Sequence, residues 1–267
     1  MKPIVLYAVV SETAGCLTAL TDPPVKRLAT VVSCEHGGFR VPPRYRQLFE
    51  KTRSVLETHE GWDHGALLLA KELSRQLRAP LITSEVTRLL VDLNRSSHHC
   101  GLFSAFTKTC DNATKMRILR EHYFPYREKI ESLISEKSTV AKRVIHFSIH
   151  SFTPQLDDQL RTCDIGLLYD SRREAEKKFC HKLQARMKAI NETLTIRRNY
   201  PYLGKADGLT TYLRQIFPEQ IYLGIEIEIN QKHVLPAQTK WKWLRRMVIN
   251  AIEQCLYPGQ AKRADPN

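Results

Sequence analysis

The sequence has no apolar run approaching the ~20 residues needed to span a bilayer, so no transmembrane helix is expected. It has no C-x-x-C pair, and its cysteines number seven, so neither a disulfide framework nor a cysteine zinc site is indicated. That usage points to a reducing setting, and a cytoplasmic location is expected. Internal repeats, low-complexity linkers and basic runs interleaved with aromatics are all missing. Acidic residues are in deficit: 28 Asp and Glu stand against 41 Lys and Arg, for a net charge of +13. The basic residues are scattered, with only short clusters such as Lys177-Lys178, Arg197-Arg198 and Arg245-Arg246. A small anionic substrate accounts for this balance better than nucleic acid does, and no membrane partner is implied.

With 267 residues and 42% hydrophobic content, the chain is able to bury a full core, and one catalytic domain over residues 1–267 is expected. Residues 3–10 are apolar, and Ala14-Gly15-Cys16 looks like a lipobox. Glu12 and the shortness of the stretch argue against a signal peptide, so an ordinary first strand is expected there, with residues 1–24 the least defined part. Leu28 to Cys34 reads as a buried strand, and Arg46 to Glu57 as helical. Ala66 to Leu77 has the apolar spacing of an amphipathic helix, with Asp63 at its N-cap. Short strands are expected at Pro80 to Ile82 and Leu89 to Val91, followed by a polar loop over Ser96 to Thr114.

Met116 to Ser135 is mostly helical in pattern, with a break at Pro125. Val144 to His150 reads as a strand with His146, Ser148 and His150 on one face. Strands at Ile165 to Tyr169, Leu194 to Arg197 and Ile221 to Ile229 then alternate with helices at Arg172 to Ala189, Gly208 to Ile216 and Trp241 to Leu256. Alternating strands and helices predict an α/β, three-layer αβα sandwich with a mostly parallel mixed sheet.

In such sheets, ligands bind at the carboxyl ends of strands. His36 follows the first strand and precedes Gly37-Gly38, and His150 ends another strand. Neutral imidazoles at two strand ends suit a metal, and a hydrolytic zinc site takes three protein ligands plus water. Asp63 and Glu35 are both candidates for the third. His59 and His64 are five apart, not the helical H-E-x-x-H spacing, and are expected at the surface. Glu226 and Glu228 share one face of an isoleucine-rich strand, where burial would suit a general base. Arg95, with Asn94 beside it and Arg88 upstream, offers a fork for substrate carboxylates. Cys34 is expected to be core.

These segments carry a resemblance. VVSCEHGGFRVPP, EGWDHGALLLAKEL, TRLLVDLNRSSHH, IHSFTP, DIGLLYD, NYPYLGKADGLT and GIEIEIN occur in this order. The chain resembles the N-formylglutamate amidohydrolase family over roughly residues 28–233. The DLNR segment is similar to one in zinc-dependent aspartoacylase and succinylglutamate desuccinylase enzymes, which share a phosphorylase/hydrolase-like fold with zinc carboxypeptidases. The resemblance implies a metal-dependent amidohydrolase, with Zn2+ or another divalent ion, acting on an N-acylated acidic amino acid such as N-formylglutamate. It implies metal ligation by His36 and His150, with Asp63 favoured as third ligand. It also implies a carboxylate clamp by Arg95 with Asn94, and Glu228 as catalytic base with Glu226 in reserve. The carboxypeptidase-type H-x-x-E motif is absent, since Phe39 stands where the acid would be. A carboxypeptidase-like peptidase, or a basic binding protein on the same fold, are the alternatives.

Overall fold

The computed structural model describes residues 28–234 and 238–258, so the expected strand over residues 3–10 lies outside the described residues. Six strands form one sheet: β1 (Ala29–Cys34), β2 (Leu81–Thr83), β3 (Val144–Phe152), β4 (Ile165–Leu168), β5 (Ile196–Arg198) and β6 (Tyr222–Asn230). Their spatial order is β2-β1-β3-β6-β4-β5. Every neighbouring pair is parallel except β6 with β4. The mixed, mostly parallel α/β sandwich expected from the sequence is therefore present.

The helices divide between the two faces. On one side lie α1 (Ala66–Leu77), α4 (Glu174–Ile190) and α6 (Gln238–Leu256). They pack on Val32, Cys34, Phe147, Ile149, Ile225 and Ile227, so Cys34 is core as expected. On the other lie a 3-10 stretch (Pro43–Thr52), α2 (Asn112–Ile118), α3 (Phe124–Val140) and α5 (Leu209–Ile216), gathered around Val31, Val144 and Tyr222. The strict alternation of side chains along a strand explains how one sheet serves two purposes. On β6, Leu223, Ile225, Ile227 and Ile229 belong to the first core, which leaves Glu226 and Glu228 on the opposite face. On β3, Ile145, Phe147 and Ile149 do the same and leave His146, Ser148 and His150 opposite. In register, His150 pairs with Glu228 and Ser148 with Glu226, so the polar residues form rows across adjacent strands.

Two local expectations are corrected. Leu89 to Val91 is no strand: the Leu90 amide donates to the Thr87 carbonyl, and the Leu89 amide donates to Thr87 Oγ1, in consecutive turns. All three residues are buried against the second core, so their apolar run records burial in a loop rather than sheet pairing. Asp63 is not a helix cap either. The N-cap of α1 is Gly65, whose φ of 79° is left-handed, and its Cβ position would meet Val234 and Trp241 at 2.9–3.0 Å. The break at Pro125 takes a definite form. A π-helical turn, Leu119–Tyr123, separates α2 from α3, and Pro125 sits in the first turn of α3, where its missing N–H is tolerated.

One buried ion network joins the layers. Glu176 of α4, fully buried, accepts from Arg214 Nε at 3.0 Å, the Gly224 amide at 3.0 Å and the Asp170 amide at 2.9 Å. Arg173 Nε lies 3.6 Å away. Among the described residues no helix is long and apolar enough to cross a membrane. Removing one partner of a buried ion pair leaves the other charge uncompensated, so Glu176→Ala is expected to cost about 3–5 kcal/mol in urea unfolding. A loss below about 1 kcal/mol would show that water reaches Arg214 in the folded state.

Candidate active site

The polar face of the sheet is covered by loops at the ends of β1, β3 and β6. His36 lies two residues past β1, where the Gly37 amide donates to the Ser84 carbonyl at 2.9 Å and so ties the turn to the end of β2. The Asp63 amide donates to the His36 carbonyl at 2.9 Å, which lays the 58–65 loop against the same strand end. His150 projects from β3 and Glu228 from β6, side by side. All four residues are almost fully buried.

Asp63 is the hub. Its Oδ2 is 2.7 Å from His150 Nδ1 and 3.4 Å from His36 Nδ1, and its Oδ1 is 3.5 Å from Arg88 Nη1. Each histidine is also held at its far nitrogen by a second carboxylate. His36 Nε2 is 2.7 Å from Asp92 Oδ1, and His150 Nε2 is 2.9 Å from Glu35 Oε2. Glu35 in turn accepts from Ser148 Oγ at 2.6 Å and from Tyr126 O–H at 2.8 Å. Glu35 therefore braces His150 from behind and does not join the Nδ1 cluster.

Burial raises the carboxyl of Asp63, but His36 and His150 outweigh it and hold the acid well below the usual carboxylate range. The same opposition, with His150 as the dominant partner, holds Glu35 low. Arg88 and His36 hold Asp92 low. Burial alone would depress His150, yet its bonds to Asp63 and Glu35 carry it well above the ordinary histidine value. Burial and Arg88 push His36 down, while Asp92 and Asp63 push it up further.

The two glutamates differ. Glu228 Oε2 is buried with no hydrogen-bond partner among the described residues. Burial, with smaller contributions from Asp63 and Glu226, raises its carboxyl from 4.5 to about 7 despite His150. Glu226 accepts from Thr210 Oγ1. Both line a cavity of about 160 Å³ together with His36, Asp63, His150, Arg88, Asn94 and Arg95.

Arg95 lines the cavity and donates through Nη1 to the Asp207 carbonyl at 3.2 Å. Arg88 instead binds Asp92 at 2.7 Å and is committed to acids of the site. Asn94 Oδ1 accepts from the Leu209 amide at 2.7 Å, at the start of α5, and Nδ2 lies 3.4 Å from His150 Nε2. The far wall is the 199–207 loop. It crosses β4 where Gly166 has no side chain, since a Cβ there would stand 2.0 Å from the Tyr200 carbonyl oxygen.

A divalent metal fits these donors. The ligand atoms of His36, Asp63 and His150 lie within 4.8 Å of one another. His36 Nδ1 is buried and has no hydrogen-bond partner among the described residues. Two imidazoles and a carboxylate are a zinc-type set, and a carboxylate behind each imidazole is the usual means of fixing tautomer and ring. Sequence reading gave no role to Asp92, Tyr126 or Ser148. Asp92 left a trace as an acid within the apolar run LLVDL, and Ser148 left one as a polar residue on the face of His146 and His150.

The profile of the N-formylglutamate amidohydrolase family matches residues 28–235. The chain belongs to that family. As a member of the N-formylglutamate amidohydrolase family, it is an amidohydrolase by descent. No curated protein matches its sequence. Among solved structures it is similar to the gene product Atu2144 from Agrobacterium tumefaciens, with 26% identity and a TM-score of 0.74. That match covers 86% of this chain and 90% of that one. It also shares the fold of an N-formylglutamate amidohydrolase from Ralstonia eutropha JMP134, with 16% identity and a TM-score of 0.64, covering 88% and 95% of the two chains.

Two expectations follow. In metal-free protein, the proton on Glu228 is held to higher pH than in the unfolded chain. The stability this confers is complete below about 4.5 and is lost as pH rises through about 7. Glu228→Gln imitates the protonated acid, so it should be about 3 kcal/mol more stable than wild type at pH 8 and nearly equal at pH 4. Equal stability at both pH values would mean that the carboxylate is solvated. Zinc must also displace the proton on His150 Nδ1, so binding at pH 7 should release at least one proton per ion. Calorimetry in buffers of different ionisation enthalpy measures this, and no release would remove His150 from the ligand set.

Proposed function

We propose that the protein hydrolyses the amide of a small N-acyl amino acid, with a formyl-type acyl group, as a zinc-dependent enzyme. The observation that carries this reading is the unpartnered Oε2 of Glu228 in the same small cavity as the His36–Asp63–His150 donor cluster. When bound there, a divalent ion would acidify a water and polarise the acyl carbonyl.

Glu228 supplies the proton chemistry. Its free oxygen takes a proton from the attacking water as the oxygen–carbon bond forms. It then delivers that proton to the amide nitrogen as the carbon–nitrogen bond breaks, which leaves a carboxylate and a free amino acid. A carboxyl near 7 is matched to both directions of transfer at neutral pH. A nearby cation lowers that value, so the acid limb of activity is expected at or below pH 7. Asp92 and Glu35 hold the two imidazoles with Nδ1 facing Asp63. Arg95 receives the substrate carboxylate and fixes the acyl group over the histidines. A cavity of about 160 Å³ suits an acyl amino acid better than a peptide. The reading includes one catalytic domain in a reducing, cytoplasmic setting, supported by free cysteines at Cys34, Cys163 and Cys180.

The test combines metal content with turnover of N-formyl amino acids. Wild type should carry about one zinc, which His36→Ala and His150→Ala should lose. Glu228→Gln should keep the zinc and lose about 100-fold or more in kcat. A wild type that takes up no metal under any loading condition would end this reading, and full turnover in Glu228→Gln would end the role of that residue.

A further inference from the structure

Beside the cavity stands a guanidinium that the hydrolytic steps do not use. Arg161 closes a hairpin, Gln155–Leu156 against Gln159–Leu160, that follows β3 directly. Asp157 and Asp158, at φ 46° and 61°, make its turn. The hairpin is tied to the ends of both strands of the site. The Arg161 amide donates to the Pro154 carbonyl at 2.8 Å, and the Arg161 carbonyl accepts from Asn230 Nδ2 at 2.8 Å. Asn230 ends β6 and stands in register with Phe152, the last residue of β3. These two form the next row after His150 and Glu228 on the same face of the sheet, about 7 Å further along the strands.

The guanidinium of Arg161 lies 6.0 Å from the centre of the Phe152 ring and 5.3 Å from that of Tyr202. Its Nη1 donates to the Tyr202 hydroxyl at 3.2 Å. Tyr202 lines the cavity, so Arg161 stands at the rim, held by two rings and a neutral oxygen. It is half-buried, and no carboxylate pairs with it among the described residues. The Tyr202 hydroxyl spends its oxygen on Arg161, and its proton meets no acceptor among the described residues. The other nearby guanidiniums are engaged differently. Arg88 is 2.7 Å from Asp92 and 3.5 Å from Asp63. Arg214, whose charge also acts on Glu226, is 3.0 Å from Glu176 and donates to the Gly224 carbonyl at 2.8 Å. Arg95 inside the cavity and Arg161 at its rim are the two that no acid holds among the described residues.

Two cations at different depths match a diacid. In an N-acyl glutamate, one carboxylate is carried by the carbon that bears the amide, and the other lies two methylenes further out. With the amide at His36, Asp63 and His150, the nearer carboxylate falls to Arg95 and the farther one to the rim. We propose that Arg161, with the Tyr202 hydroxyl beside it, pairs with the side-chain carboxylate of the substrate and is the residue that sets side-chain specificity. The Phe152 and Tyr202 rings keep water from the guanidinium, which strengthens a charge-assisted bond made there. A glutaminyl side chain reaches the same place without the charge, and an aspartyl one falls a methylene short. The inference rests on the hydrolytic reading for the amide, while the side-chain preference is carried by Arg161 and its contacts.

The experiment compares N-formylglutamate with N-formylglutamine as substrates of the zinc-loaded wild type, Arg161→Gln, Arg161→Lys and Lys205→Gln. Lys205 is an exposed cation on the 199–207 wall, so its variant removes the same charge from elsewhere on the rim. Calorimetry measures binding of glutamate and glutamine to the same four proteins. Wild type should prefer the glutamate derivative in kcat/KM by about tenfold or more. Arg161→Gln should abolish that preference, chiefly through KM for the glutamate derivative. Arg161→Lys should keep part of it, and Lys205→Gln should keep it whole. A wild type with no preference, a preference that survives Arg161→Gln, or an equal loss in Lys205→Gln overturns the inference. If neither compound is hydrolysed, but glutamate binds better than glutamine and Arg161→Gln alone removes the difference, the role of Arg161 stands and the hydrolytic reading falls. If neither is hydrolysed and neither amino acid binds, both fall.

Discussion

The site depends on one buried carboxylate. Asp63 has no solvent to stabilise its charge, so the two imidazoles and Arg88 must surround it. Those cations are themselves buried and need further anions, which is why Asp92 and Glu35 stand behind them. Charge alternates outward in shells until Tyr126, Ser148 and the main chain close the network with neutral hydrogen bonds. No member could be deleted without stranding its neighbour in a low-dielectric interior. Arg88 is best understood within this pattern, as a counterion that allows two acids to share a few ångströms.

The sheet makes this possible by dividing its labour between faces. Isoleucine and phenylalanine on one side of β3 and β6 supply the burial that holds the strands together. The alternate positions are then free to be histidine, serine and glutamate. A helix could not separate the two requirements so cleanly, because its side chains fan around an axis instead of alternating. The polar rows are tolerated because His146, Ser148, His150 and Glu226 each find a partner on a neighbouring strand, loop or helix, and Glu228 Oε2 is left without one among the described residues. Ser33 and Tyr222 hold His146 at 2.7 and 2.8 Å, and that packing pushes the fully buried His146 down to about 4, which leaves it neutral beneath the working histidines.

Periodicity made most of the strands and helices legible in the sequence, including both isoleucine-rich faces and the break at Pro125. Leu89 to Val91 was misleading because an apolar run shows burial but not what buries it. Site residues were legible where they ended strands, as with His36 and His150. The partnerships were not. Asp63 read both as a helix cap and as a candidate third ligand, and the left-handed Gly65 reveals that the cap position lies elsewhere. Arg95 read as the carboxylate clamp with Arg88 as a possible second arm, and what sets Arg88 apart is its pairing with Asp92, whose contact with His36 spans 56 positions. Long-range pairing of that kind has no local signature.

The π-helical turn before Pro125 sets which side chains of α3 reach the site. An added residue in a helical turn rotates everything that follows by about 100°. Here that phase brings Tyr126 onto Glu35, behind His150, and Arg127 onto the carbonyl of Arg95, which Tyr123 also reaches at 2.9 Å. One helical segment therefore braces the histidine half of the cavity through Glu35 and the arginine half through the Arg95 carbonyl, and an irregularity in that helix sets the phase at which both are reached.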